Sequence, residues 1–217
     1  MKLPPLPVFF PDATRGLIKS LDTTDIESTK TKGLLVNTYH LYKDLGIDFI
    51  KEKGGIKKFM NWKGFVISDS GGFQVGSLIK MNPSQGHVSN NGVLFKPVGE
   101  KQVMLTPEKS IEFQMELDSD MVVVLDDFTD PKATRNEAKV SVERTIDWAK
   151  RSKREFERIC EIKHLTINNR PLILGVVQGG YYQDLRKYCI DELVKIGFDG
   201  LGFGGWPLQN QDRQNQS

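Results

Sequence analysis

Apolar residues along this chain gather in short unbroken runs. Between them lie longer stretches where apolar and charged positions alternate at helical spacing. The runs cover residues 8–10, 33–36, 64–67, 121–125 and 172–177, with a weaker one at 200–203. Successive side chains of a strand point to opposite faces. A run that is apolar at every position therefore suits a strand covered on both sides, as in a parallel sheet. The intervening stretches predict helices. A short one is expected over residues 14–20. A long charged one is expected over residues 136–159, with Val140, Ile146, Trp148, Phe156 and Ile159 as its apolar positions. Thr106-Pro107-Glu108 has the form of a helix start, a hydroxyl cap followed by proline and an acid, and that helix runs on through Met115. Another spans residues 184–196 and ends at Gly197.

Strand and helix in alternation predict an α/β fold on a parallel sheet. The stretch between the third and fourth runs is too long for one helix. Within it Asn90-Asn91-Gly92 separates Gly86-His87-Val88 from Val93-Leu94-Phe95, which predicts a small antiparallel insertion. Pattern alone leaves two architectures open. One is a doubly wound open sheet. The other is an eightfold βα barrel, which takes ~250 residues and of which this chain would supply six units of eight. Residues 208–217 are polar and aperiodic and are expected to form a disordered tail behind a domain over residues 1–207.

Composition changes this picture little. The 217 residues suffice for a domain with its own core, and a net charge of +2 neither demands nor excludes a nucleic-acid partner. Cys160 and Cys189 lie too far apart in sequence to suggest a disulfide framework or a metal-ligand spacing, so no metal is expected in this chain. Pro4, Pro5 and Pro7 argue against a signal-peptide helix. No apolar run approaches the ~20 residues of a membrane span. A soluble, cytoplasmic protein with no membrane partner is expected.

In parallel α/β folds, functional groups collect after the carboxyl ends of the strands. The residues there are rich in such groups. Asn37-Thr38-Tyr39-His40-Leu41 follows the second run and Asp69-Ser70-Gly71-Gly72-Phe73-Gln74 the third. Asp126-Asp127 follows the fourth, Gln178-Gly179-Gly180 the fifth and Gly204-Gly205 the sixth. Carboxylates and amides on one rim suit a flat ligand with several donors and acceptors, such as a purine, and an aromatic such as Phe73 suits its face. Plainer readings stand beside these. An acid at a strand end commonly caps a helix, but Asp69 is followed by two glycines that a cap does not need. Asp126 and Asp127 are adjacent and point to opposite sides, so at most one serves the site. His40 reads as a core or supporting histidine, and His87 and His164 as surface residues. The basic run Lys150-Arg151-Ser152-Lys153-Arg154 reads as a solvated helix face before it reads as a phosphate contact.

With these residues in view, the sequence resembles the tRNA-guanine transglycosylase (queuine tRNA-ribosyltransferase) family. The resemblance is carried by Asn37-Thr38-Tyr39-His40-Leu41, residues 57–62 (KKFMNW), residues 69–75 (DSGGFQV), Leu105-Thr106-Pro107-Glu108, residues 175–180 (GVVQGG) and residues 202–205 (GFGG), in order along the chain. It implies a (β/α)8 barrel of the TIM type. It also implies exchange of a guanine in tRNA for a 7-deazaguanine: queuine or its precursor at the wobble position, or an archaeosine precursor elsewhere in archaea. By resemblance Asp69 is the general acid/base, and Asp126, rather than Asp127, reads the base edge together with Gln178. Gly205 offers a backbone contact beside Gly204, Phe73 stacks on the base, and Ser70 and Gln74 line the pocket. The expected partners are tRNA and guanine or a 7-deazaguanine, with a homo- or heterodimer left open. The family's nucleophilic aspartate and its structural zinc site of three cysteines and one histidine have no counterpart here. The chain is therefore expected to be the N-terminal portion of such an enzyme, with no cofactor of its own and no activity alone. Trp206-Pro207 stand where the family usually has leucine and a small residue, in a loop that helps choose the deazapurine. Two readings outside this one are a non-catalytic subunit that binds a base or tRNA, and a relative that inserts deazaguanine into DNA.

Overall fold

The computed structural model describes residues 3–96 and 102–205. In chain order its elements are α1 (Thr23–Ser28), β1 (Gly33–Asn37), α2 (Thr38–Asp44), α3 (Ile47–Glu52), α4 (Ile56–Met60), β2 (Phe65–Asp69), α5 (Gly72–Met81), β3 (Gly86–Ser89), β4 (Gly92–Phe95), β5 (Val103–Leu105), α6 (Pro107–Glu116), β6 (Met121–Val123), α7 (Arg135–Ile162), β7 (Leu172–Val177), α8 (Gln183–Ile196) and β8 (Gly200–Phe203). The unbroken apolar runs from residue 33 onward become one five-stranded parallel sheet in the order β1-β2-β6-β7-β8. Each parallel strand joins beside the one made before it, and the order never reverses. A doubly wound sheet reverses at its switch point, so this is the progression of a βα barrel. The described residues form a partial barrel that is not closed.

Helices cover the sheet because its strands are apolar on both faces. Val122, Val124 and Ile173 are buried against Ile111 of α6, Ala138, Val142, Ile146 and Phe156 of α7, and Leu193 of α8. Leu34, Val36 and Val66 pack with Leu41, Ile50, Ile56 and Phe113 at the other end of the sheet. Each such buried aliphatic side chain contributes roughly 1.5–3 kcal/mol. The inserted hairpin forms as expected from Asn90-Asn91-Gly92, but β5 adds a third strand that the pattern did not reveal. The turn is pinned where the buried Trp148 donates through Nε1 to the Asn90 carbonyl at 2.8 Å.

Thr106 caps α6 through the Lys109 N–H at 3.2 Å, and Gly197 ends α8 in the left-handed region at φ 83. The long helix starts one residue before the expected position, because Thr134 and Glu137 form a reciprocal capping box. Three expectations need correction. Residues 8–10 are not a strand. The backbone that bonds along the free edge of β1 comes later, with Ala13 N–H donating to Leu35 O at 2.7 Å and Leu35 N–H to Pro11 O at 3.0 Å. Pro11 has no N–H and enters this ladder only as an acceptor. Phe9 points outward, while Phe10 lies against Phe65 at 5.8 Å between ring centroids. Residues 14–20 are not a helix, since Gly16 and Ser20 both take positive φ and Ile18 bridges to Leu21. The helix in this region is α1, set by an Asp22/Asp25 capping box. Val140 is exposed, and the inner face of α7 runs instead through Ala138, Val142, Ile146 and Ala149. Trp206, Pro207 and the tail over residues 208–217 lie outside the described residues. No helix among the described residues is long and apolar enough to cross a membrane.

Candidate active site

Parallel register carries the strand-end residues to one rim. Asn37, the last residue of β1, stands opposite Asp69, the last of β2. The Asn37 amide donates to Asp69 Oδ2 at 2.9 Å, and its own Oδ1 accepts the His40 N–H at 3.3 Å as the cap of α2. The capping bond fixes which end of the amide faces the carboxylate. Asp69 also accepts the Gly71 N–H at 3.3 Å. Gly71 sits at φ 82, and a Cβ there would lie 2.6 Å from the Tyr39 Cβ, so only glycine closes this turn. Asp69 has no ion pair among the described residues. Burial pushes its carboxyl pKa up, with the backbone bonds from Gly71 and Ser70 opposing and Asp12 adding to the rise.

Asp126 sits just past β6. It accepts from Gln178 Nε2 at 2.6 Å. Gln178 is fully buried, and its Oε1 accepts the Thr129 N–H at 3.1 Å, so its NH2 is committed to Asp126. Burial, helped by the charges of Asp69 and Asp127 and opposed by Gln178, raises the Asp126 pKa to about 7. Asp127 pairs its carboxylate with Arg144 and also borders the cavity beside Asp126. Its pKa is also raised by burial, against the pull of that guanidinium.

A cavity of about 300 Å³ opens beside Asp126, lined by Gly72, Phe73, Val88, Val93 and Phe128 among others. That volume suits a small planar ligand. Phe73 is 38% exposed and meets Phe128 edge to face at 5.1 Å. Gln178 and Asp69 lie behind and beside Asp126 rather than in the wall. Ser70 is buried, with Oγ accepting the Gly72 N–H at 3.3 Å, so it shapes the turn and does not face the cavity. Gln74 is half-buried with a buried Oε1 that has no partner among the described residues. Gly204 lies against Gln178, whose Nε2 would stand 2.6 Å from a Cβ at that position, and Gly205 follows at φ 128.

Three participants escaped the sequence reading. Asn37 was legible only as part of a motif. Phe128 follows the two acids without a pattern. Arg186 reads as one more charge on the outer face of α8. His40 is half-buried edge to face with Tyr39 at 5.1 Å, and burial lowers its pKa, with Arg15 contributing. His87 and His164 are exposed. Within the basic run, Arg151 binds Glu108 and the Asn90 and Asn91 carbonyls, and Lys153 pairs with Glu157, while Lys150 and Arg154 are exposed. Cys160 and Cys189 are buried free thiols on α7 and α8. Among the described residues no three His, Cys, Asp or Glu side chains are grouped to hold a metal ion.

The family model described as Queuine tRNA-ribosyltransferase matches residues 4–216. The chain is 40% identical over 200 residues to the queuine tRNA-ribosyltransferase of Aliivibrio fischeri (strain MJ11), covering 92% of this chain and 50% of that protein. The queuine tRNA-ribosyltransferase of Blochmanniella pennsylvanica (strain BPEN) is 41% identical over 92% of this chain and 51% of its own length. That of Acinetobacter baylyi is 40% identical over 92% of this chain and 49% of its own length. The chain spans about half the length of the curated relatives it matches.

Proposed function

The chain belongs to the queuine tRNA-ribosyltransferase family, and from that premise we propose that its strand-end site exchanges a guanine of tRNA for a 7-deazaguanine. One observation carries the reading: Asp69 and Asp126 stand at adjacent strand ends, close enough that the Asp69 charge helps to raise the Asp126 pKa, and both are held by neutral amides rather than cations. Burial without a cation raises the proton affinity of a carboxyl group, as proton transfer to and from a base requires. Asp126, oriented by Gln178 behind it, and the Gly205 N–H read the base edge, and Phe73 covers its face. Asp69 moves the proton of the departing and arriving base.

Exchange is a double displacement. A carboxylate oxygen bonds to ribose C1′ as the C1′–N9 bond to guanine breaks, and the base leaves with a proton from the site. The incoming base loses its ring proton to Asp69 and attacks C1′, expelling the carboxylate. The target nucleotide has to leave its stack to reach the cavity. Asp199 does not serve as the nucleophile. It lies at the opposite end of the sheet, bound by Arg170 and the Ile173 N–H. We therefore expect these residues by themselves to bind the base without turning it over. Incorporation of radiolabelled guanine into tRNA tests the reading. The complete protein should incorporate label, and the isolated 217 residues should bind guanine and leave tRNA unlabelled. A complete protein that labels duplex DNA and not tRNA would move the substrate class.

A further inference from the structure

Two loops of the rim, residues 178–180 after β7 and residues 204–205 after β8, are tied together by one side chain from α8. Arg186 Nε donates to the Gly180 carbonyl at 2.7 Å, and its Nη2 donates to the Gly204 carbonyl at 2.9 Å. The guanidinium lies 4.3 Å from the centroid of the Phe203 ring. Both loops are shaped to admit it. A Cβ on Gly179 would stand 2.8 Å from the Arg186 backbone nitrogen, and one on Gly205 would stand 2.6 Å from Nη2. Nη1 is buried with no partner among the described residues, so the cation is spent on two backbone carbonyls rather than on a carboxylate.

The Gly204 carbonyl and the Gly205 N–H belong to one peptide unit. That unit is planar and trans, so its C=O and N–H point in opposite directions. A guanidinium that holds the carbonyl on one side fixes the N–H on the other. It also polarises the peptide, making that N–H a stronger donor. Resting on the base-exchange reading above, we propose that Arg186 is a positioning residue that sets the Gly204–Gly205 peptide so that the Gly205 N–H donates to the ring carbonyl oxygen of the purine. Arg186 touches neither base nor ribose. It acts through the two loops, and a lysine in its place has no fork with which to span both carbonyls.

The test compares guanine with 2-aminopurine, which keeps the amino group and lacks the ring carbonyl, as competitors for labelled guanine in base exchange by the complete protein. Arg186→Lys should raise the KM for guanine roughly tenfold, with kcat within about threefold and the KM for tRNA unchanged, as expected for one weakened peptide N–H contact to the base. The inhibition constant of 2-aminopurine should stay within about twofold of wild type, since it makes no contact through the oxygen. Arg186→Gln, which keeps a donor without the fork or the charge, should show the same split. Equal weakening toward both purines would mean a merely structural arginine and would overturn the proposal, as would an unchanged KM for guanine. A wild-type protein that exchanges no guanine would remove the base-exchange reading itself and this inference with it.

Discussion

Asp199 and Asp126 are the same kind of residue at opposite ends of the same sheet. Asp199, just ahead of β8, accepts two bonds from Arg170 and one from the Ile173 N–H, and these hold its pKa below the usual carboxylate value. Asp120, just ahead of β6, also has a cation and a backbone N–H as partners, Lys57 at 2.5 Å and the Val66 N–H at 2.8 Å. Asp69 ends β2 and Asp126 lies past β6; both have amides and backbone N–H groups as their hydrogen-bond partners, and burial pushes both upward. A buried charge is tolerable when a cation and hydrogen bonds surround it. The amino-end acids meet that condition and staple the strands. The carboxyl-end acids do not, and are left with the proton affinity and free acceptor capacity that a base requires.

The largest expected effect breaks this contrast at Asp69. Asp69→Asn keeps the shape and removes the proton acceptor, so base exchange by the complete protein should fall about 10³-fold with an unchanged melting temperature. Labelled-guanine incorporation and a thermal melt measure the two halves. Next is Asp126→Asn, which should weaken guanine binding by roughly tenfold to a hundredfold at pH 8, seen by calorimetry. In the wild type, affinity should climb as pH rises from 6 to 8, because the carboxyl ionises at about 7 and the carboxylate is the stronger acceptor for the donors of the base. The variant should show a flat profile.

Stability sharpens the comparison further. The folded Asp126 carboxyl holds its proton to about 7, while in the unfolded chain it releases it near ~3.9. The native state binds more protons between those values, so stability falls as pH rises from about 4 to 7, and Asp126→Asn should remove that decline. Asp199 has the opposite sign. Its lowered pKa gives stability that is present above the unfolded value and lost as pH falls through the folded one. Asp199→Asn should cost about 2–3 kcal/mol by leaving Arg170 uncompensated, with guanine affinity untouched. The smallest expected effect is at Phe73, where Phe73→Leu keeps an apolar wall but loses the aromatic face. Guanine affinity should drop by roughly twofold to tenfold in the same calorimetric titration.

The contrast between the two rims was half legible in the sequence. Unbroken apolar runs at residues 33–36 and 172–177 announce strands covered on both faces, and the polar residues that follow them mark the functional end. The Thr106 cap and the Asn-Gly hairpin rest on local chemistry and could be read locally. The partner of each acid could not. Asp199 and Arg170 are 29 residues apart, and Asp126 and Gln178 are 52 apart. Adjacent acids such as Asp126 and Asp127 differ in the partner each one meets, Gln178 or Arg144. Arg186 had no signal at all, because a helix charge that reaches inward to two carbonyls has the same spacing as one that reaches into water. Residues 14–20 misled for a related reason. Gly16 and Ser20 take left-handed conformations that composition does not announce.

The most direct test of the two-rim account is a calorimetric titration of guanine at pH 8 into the wild-type chain, Asp126→Asn and Asp199→Asn side by side. The account predicts one-site binding by the wild type, the same affinity for Asp199→Asn despite a lower melting temperature, and loss of most of the affinity for Asp126→Asn. Equal binding by all three, or a loss that follows stability rather than position on the sheet, would contradict it.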